Sequence, residues 1–174
     1  MGLKLIKLSK KYEAELTEMI DEWREDQEKN STDRSPGAIF KNDCHDFDYY
    51  LEHLEIKKET DGKVPDSVFF LLDEERDRLL GAVNIRHRLN ERLLRDGGHI
   101  GDGIRPSERR RGYGTELVRL ALIECRKLGI DRVLMVCDKN NVASAKTIIN
   151  NGGVLEDEPV DDDGNVEQRY WIDI

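Results

Sequence analysis

Ile104-Arg105-Pro106-Ser107-Glu108-Arg109-Arg110-Arg111-Gly112-Tyr113-Gly114-Thr115 joins an apolar, strand-like run to a helical one through a loop of arginines and glycines. Four arginines stand against one glutamate there, in a chain with 28 basic and 37 acidic side chains, so a basic island sits in an acidic protein. Glycines let the backbone come close to a ligand, the N–H groups of a helix start point outward, and guanidinium groups surround them with positive charge. The stretch reads as an anion cradle whose natural occupant is a pyrophosphate.

Downstream, Val118, Ala121, Leu122 and Cys125 recur at helical spacing over residues 115–128, and Gly129 supplies a helix stop. Val133-Leu134-Met135-Val136-Cys137 is an uninterrupted apolar run, as expected of a strand covered on both faces. Asn140 or Asn141 caps a further helix that ends at Gly152-Gly153, and residues 154–174 make a closing hairpin. Helix, strand and helix in alternation imply a parallel crossover.

The pattern Arg109-x-x-Gly112-x-Gly114, entered from a strand and followed by an amphipathic helix, resembles the coenzyme A motif of the GNAT (Gcn5-related N-acetyltransferase) family. The next strand, Asn141-x-x-Ser144 and Gly152 follow in the order of the second half of a GNAT domain, so the resemblance covers roughly residues 98–174. Residues 87–114 as a block also resemble a group of bacterial GNAT proteins known mainly as predicted acetyltransferases. The fold implied is α/β: a mixed, mostly antiparallel central sheet with a parallel splayed strand pair, flanked by about four helices in one domain over residues 1–174.

Upstream, residues 3–8 alternate as an edge strand. Tyr12, Leu16, Met19, Ile20 and Trp23 form a buried helical stripe, while Glu13, Glu15, Glu18, Asp21 and Glu22 are expected to face water. Residues 30–37 are a loop by composition. Phe47, Tyr50, Leu51 and Leu54 mark a second helix over residues 46–57. Residues 68–72 and 79–85 read as antiparallel strands, residues 91–95 as a short helical excursion, and residues 99–104 as the strand that enters the loop.

A length of 174 residues allows one domain with a sizeable core. A net charge of −9 argues against nucleic acid as a partner and mildly favours a cationic co-substrate. No apolar run approaches the ~20 residues that span a bilayer. The first residues lack the apolar centre of a secretory signal, so a cytoplasmic location is expected. Cys44, Cys125 and Cys137 show neither pairing nor metal-ligand spacing and read as small buried hydrophobes in a reducing compartment. Oligomeric state is left open, with a homodimer among the options.

The resemblance implies acetyl transfer from acetyl coenzyme A to an amine by direct attack, without an acyl-enzyme or a metal. It assigns Ile104 and Arg105 to the pantetheine arm, Arg109, Arg110, Arg111, Gly112, Tyr113, Gly114 and Thr115 to the pyrophosphate, and Asn141 and Ser144 to the next strand-helix junction. An N–H near Ile104 could stabilise an oxyanion, an interaction worth ~3 kcal/mol when lost. Many members carry a tyrosine acid seven residues after the motif asparagine; here that position is Ile148, which cannot donate a proton. The loss also supports a second reading, a coenzyme-binding sensor or regulatory module without turnover. Candidate bases are His99, Asp102 and His87, and strand alternation lets at most one of His99 and Asp102 face the reaction.

Overall fold

A computed structural model describes residues 2–32 and 34–174; Met1, and Asp33 within the expected loop, lie outside the described residues. Strands β1 (Leu3–Ile6), β2 (Asp66–Asp73), β3 (Arg78–Arg86) and β4 (Ile100–Ile104) form one sheet in the order β1-β2-β3-β4. Strands β5 (Arg132–Asp138), β6 (Val154–Asp157) and β7 (Glu167–Asp173) form a second, with β7 in the middle. Five α-helices accompany them: α1 (Glu13–Asn30), α2 (Phe47–Glu52), α3 (Glu91–Arg95), α4 (Tyr113–Lys127) and α5 (Val142–Asn150).

Every ladder among the described residues is antiparallel, so the expected parallel splayed pair and parallel crossover are not among them. β4 and β5 belong to different sheets. They meet at an antiparallel bridge between Gly98 and Met135, with His99 N–H donating to the Leu134 carbonyl at 2.8 Å. Beyond that junction Ile100 to Ile104 and Val136 to Asp138 line the two walls of a cleft.

Strand alternation places the core on both faces of the sheets. Leu80, Val83, Ile85, Ile100, Val133, Met135, Tyr170 and Ile172 pack with Leu117, Val118, Ala121, Leu122 and Cys125 of α4 and Ile148 of α5. On the opposite face Val68, Phe70, Leu72, Leu79 and Ala82 pack with Leu16, Met19, Ile20 and Trp23 of α1 and with Phe47 and Tyr50. The expected stripes on α1 and α4 are therefore the core-facing ones. The expected second helix is shorter than its periodicity suggested, six residues, and Leu54 is buried beyond its end.

Candidate active site

Antiparallel pairing decides which backbone groups of β4 reach the cleft. Arg105 N–H donates to the Leu80 carbonyl and Arg86 N–H to the His99 carbonyl, so the odd-numbered positions from 99 to 105 spend their backbone groups on β3. Ile100, Asp102 and Ile104 alternate with them, and their backbone groups point away from β3. Because β4 is the sheet edge, those groups turn toward the cleft.

The loop after β4 is held from below. The Arg105 side chain is 0 % exposed, and its guanidinium donates to Glu15 (2.9 Å), Glu18 (2.9 Å), Glu22 (2.6 and 3.0 Å) and the Leu79 carbonyl (3.1 Å). Glu22 also accepts Ser107 N–H at 2.7 Å. Burial alone would raise the Glu22 carboxyl, but Arg105 and Ser107 outweigh it and hold the group below its usual range. Arg109 donates to the Ile104 carbonyl (3.0 Å) and to Asp26 (2.8 Å), and the buried Glu108 accepts from Arg76, Arg78 and Arg111. The glutamates of α1 expected to face water thus form the socket of Arg105. That arginine and its backbone N–H are spent inside the fold, which corrects its expected place on the pantetheine arm.

Above this network the backbone is open to a ligand. Arg110 and Gly112 both adopt left-handed conformations, φ 63° and 81°. Gly112 is the N-cap of α4, makes no side-chain cap, and has nothing within 4 Å of where a Cβ would stand. The first N–H groups of a helix have no intrahelical partner, so α4 presents bare donors and the positive end of its dipole to the cleft. Arg110 is exposed and has no carboxylate partner among the described residues, unlike Arg105, Arg109 and Arg111. These features fit a diphosphate.

The cleft encloses about 1030 Å³, the scale of a pocket for a large ligand. Asp102, Ile104, Arg109, Arg110, Gly112, Gly114, Thr115, Asn141 and Ser144 of the expected site residues line it. Asn141 caps α5 by accepting Ser144 N–H at 3.1 Å. Arg111 and Tyr113 turn aside, to Glu108 and to Arg76. This donor-lined cleft between parted strands is the region that decides the family, and the family model described as "Acetyltransferase (GNAT) family" matches residues 15–148.

The chain belongs to the GNAT family. Solved GNAT structures share the fold at low identity. An acetyltransferase (GNAT family) from Bacillus anthracis is 17 % identical with a TM-score of 0.64, covering 99 % of this chain and 95 % of that one. A chimera of spermidine N-acetyltransferase SpeG from Vibrio cholerae and hSSAT is 15 % identical with a TM-score of 0.68, covering 99 % and 96 %. RimL, a ribosomal alpha-N-protein acetyltransferase, is 14 % identical with a TM-score of 0.66, covering 100 % and 91 %. No curated protein matches the sequence.

Among the acid-base candidates, the structure brings only Asp102 to the GNAT cleft. His99 is buried, its Nδ1 accepts Leu134 N–H at 2.9 Å, and burial, aided by Arg86, lowers its pKa to about 4. It is a neutral structural group. His87 Nε2 lies 2.8 Å from Ser67 Oγ and is not among the cleft-lining residues. Ile148 is 1 % exposed within the α4-α5 core. Asp102 shares its strand face with Ile100 and Ile104, which pack toward α4.

Sequence reasoning missed Asp96, Asp138 and Glu167, which also line the cleft. Glu167 and Asp138 are partners in the β5-β7 register. On β7, Tyr170 and Ile172 face α4 and α5, so Glu167 faces the other way; on β5, Val133, Met135 and Cys137 do the same for Asp138. Strand alternation was readable in the sequence, but the pairing that joins these acids was not. A separate group, Asp21, Cys44 and His45, brings ligand-type atoms within 4.8 Å of one another. There His45 Nδ1 is engaged by Asp43 at 2.9 Å and burial raises the Cys44 thiol, which opposes the thiolate a metal needs.

Proposed function

We propose that this protein is an N-acetyltransferase that moves an acetyl group from acetyl coenzyme A directly to a primary amine of a small molecule or a protein. In this reading residues 1–174 act as one domain, in the cytoplasm, without a metal. The carrying observation is a cleft with two kinds of wall: the bare N-terminus of α4 with Arg110 on one, and the carboxylates of Asp96, Asp138 and Glu167 on the other.

Bound coenzyme supplies an acetyl thioester. The N–H groups of Tyr113, Gly114 and Thr115 hold its diphosphate, with Arg110 adding charge and Arg109 keeping the loop against Ile104. The cleft-facing N–H of Ile104 or Asp102 donates to the thioester carbonyl oxygen, where charge develops as the amine adds. Asn141 and Ser144 border the arm from α5. The carboxylate wall attracts an acceptor carrying positive charge, in line with spermidine as the substrate named for one structural neighbour.

Release of free thiol from acetyl coenzyme A, measured across mono-, di- and polyamines and a peptide α-amine, tests this. Turnover with mass-detected acylated product is expected, with cationic amines preferred. Coenzyme binding by calorimetry without turnover on any acceptor would instead establish the sensor module, the reading that an aliphatic Ile148 at the tyrosine position supports.

A further inference from the structure

We infer that Glu167 is the catalytic base that takes the proton from the acceptor's ammonium group, on the side of the cleft away from α4 and α5. The inference rests on the transferase reading above. Three observations place the residue. Glu167 lines the cleft at the first position of β7, directly across from Asp138, on the face opposite the coenzyme-side helices. Gly101 and Gly103 occupy the alternate positions of β4, so this side of the strand presents backbone and no side chain; Trp23 and the Ser35 carbonyl pack directly on Gly103, while Gly101 meets Ser35 and Arg86 only in ordinary contact, which puts all of these cleft-lining groups on the Glu167 side. Trp23, 1 % exposed, lines the same cleft with its indole N–H unpartnered, a donor already desolvated for a bound polar atom.

The surroundings of Glu167 suit a base. No lysine or arginine pairs with it among the described residues. Asp96 from the α3-β4 turn hydrogen-bonds it, Asp161 from the β6-β7 turn and Asp138 from β5 repel its charge, and the Arg86 guanidinium stands in the same wall, donating to the Gly97 and Gly98 carbonyls. Burial first, then these carboxylates, push its pKa above the usual carboxylate range. An ammonium entering here is drawn to the acids and delivers its proton to the group most willing to hold it.

The step balances as follows. The Glu167 carboxylate accepts one proton from R–NH3+, leaving R–NH2. The nitrogen lone pair forms the C–N bond at the thioester carbon while the carbonyl π electrons move to oxygen, facing an N–H of β4. Collapse breaks the C–S bond, and the sulfur leaves with its electron pair and takes the second nitrogen proton through water. The proton on Glu167 returns to solvent.

The test compares wild type with Glu167→Gln by coenzyme affinity, pH–rate profile and 13C-carboxyl NMR of the unliganded protein. Glu167→Gln is expected to keep coenzyme affinity, lose about 100-fold in kcat/KM, and lose the acid limb of the profile. The NMR titration should show one glutamate with an elevated midpoint, absent in Glu167→Gln and lowered in Asp96→Asn. Full turnover with an unchanged acid limb in Glu167→Gln overturns this inference while the transferase reading stands. No thiol release by wild type on any amine overturns both.

Discussion

Arg105 is sealed inside the fold and Glu167 is half-buried on the cleft wall, and the surroundings of these two ionisable groups are opposite. Around Arg105 every guanidinium donor meets an oxygen, from three glutamates and a carbonyl. Around Glu167 the neighbours are other acids. The first arrangement fixes a loop in one conformation, and the second leaves a charge unsettled until a cation arrives. One region spends electrostatics on shape, the other reserves it for the ligand.

Arg105→Met should test the first half of that contrast most strongly. Removing a buried cation strands Glu15 and Glu22, and unfolding free energy should fall by about 3 kcal/mol in urea titrations, the lower end of the range because Glu18 stays 58 % exposed. Coenzyme affinity should fall with it as Ser107 and the loop are released. A loss under about 1 kcal/mol would mean the glutamates relax into water and the socket does not hold the loop.

Gly112→Val separates shape from charge at the α4 end. No neighbour blocks a Cβ, but φ 81° costs a branched residue about 1–2 kcal/mol, and the side chain covers the bare N–H groups. Calorimetry should show coenzyme binding weakened at least about tenfold with a smaller change in melting temperature. Equal binding would remove the cradle from the account.

The two regions should also respond to acid with opposite sign. Glu22 and Glu108 have depressed pKa values: burial works against them, but their arginines prevail, so their contribution is present above the usual carboxylate pKa and lost as pH falls through the folded value. Glu167 is raised, so its folded form prefers the proton, and Glu167→Gln should raise the melting temperature at neutral pH but not in acid. His99, lowered to about 4, adds an effect of the first kind, since the unfolded chain binds its proton first and stability drops between pH 6.5 and about 4. His99→Gln, whose amide oxygen can still accept Leu134 N–H, should flatten that part of a pH–melting curve.

The cradle was legible because it needs only local spacing: Gly112, Gly114 and the α4 stripe sit in one stretch, and Asn141 three residues before Ser144 repeats a local cap. Arg105's role was not, because its partners lie 83 to 90 positions earlier on a helix whose periodicity marks only the apolar side. Glu15, Glu18 and Glu22 looked solvated for the same reason. His99 carried the pKa expected of a base in isolation, and only its burial beneath Leu134 shows why it cannot act as one. Glu167 needed the order β5-β7-β6, which places a strand from the chain's far end between two that precede it.

Gly101 and Gly103 differ in one further respect. A methyl on Gly103 would strike the Ser35 carbonyl at 2.4 Å, whereas on Gly101 it would rest in ordinary contact, 3.5 Å from the Ser35 hydroxyl. The floor of the acceptor chamber is therefore rigid at one tile and adjustable at the next, and Gly101→Ala offers a way to shrink the set of amines admitted without disturbing the walls.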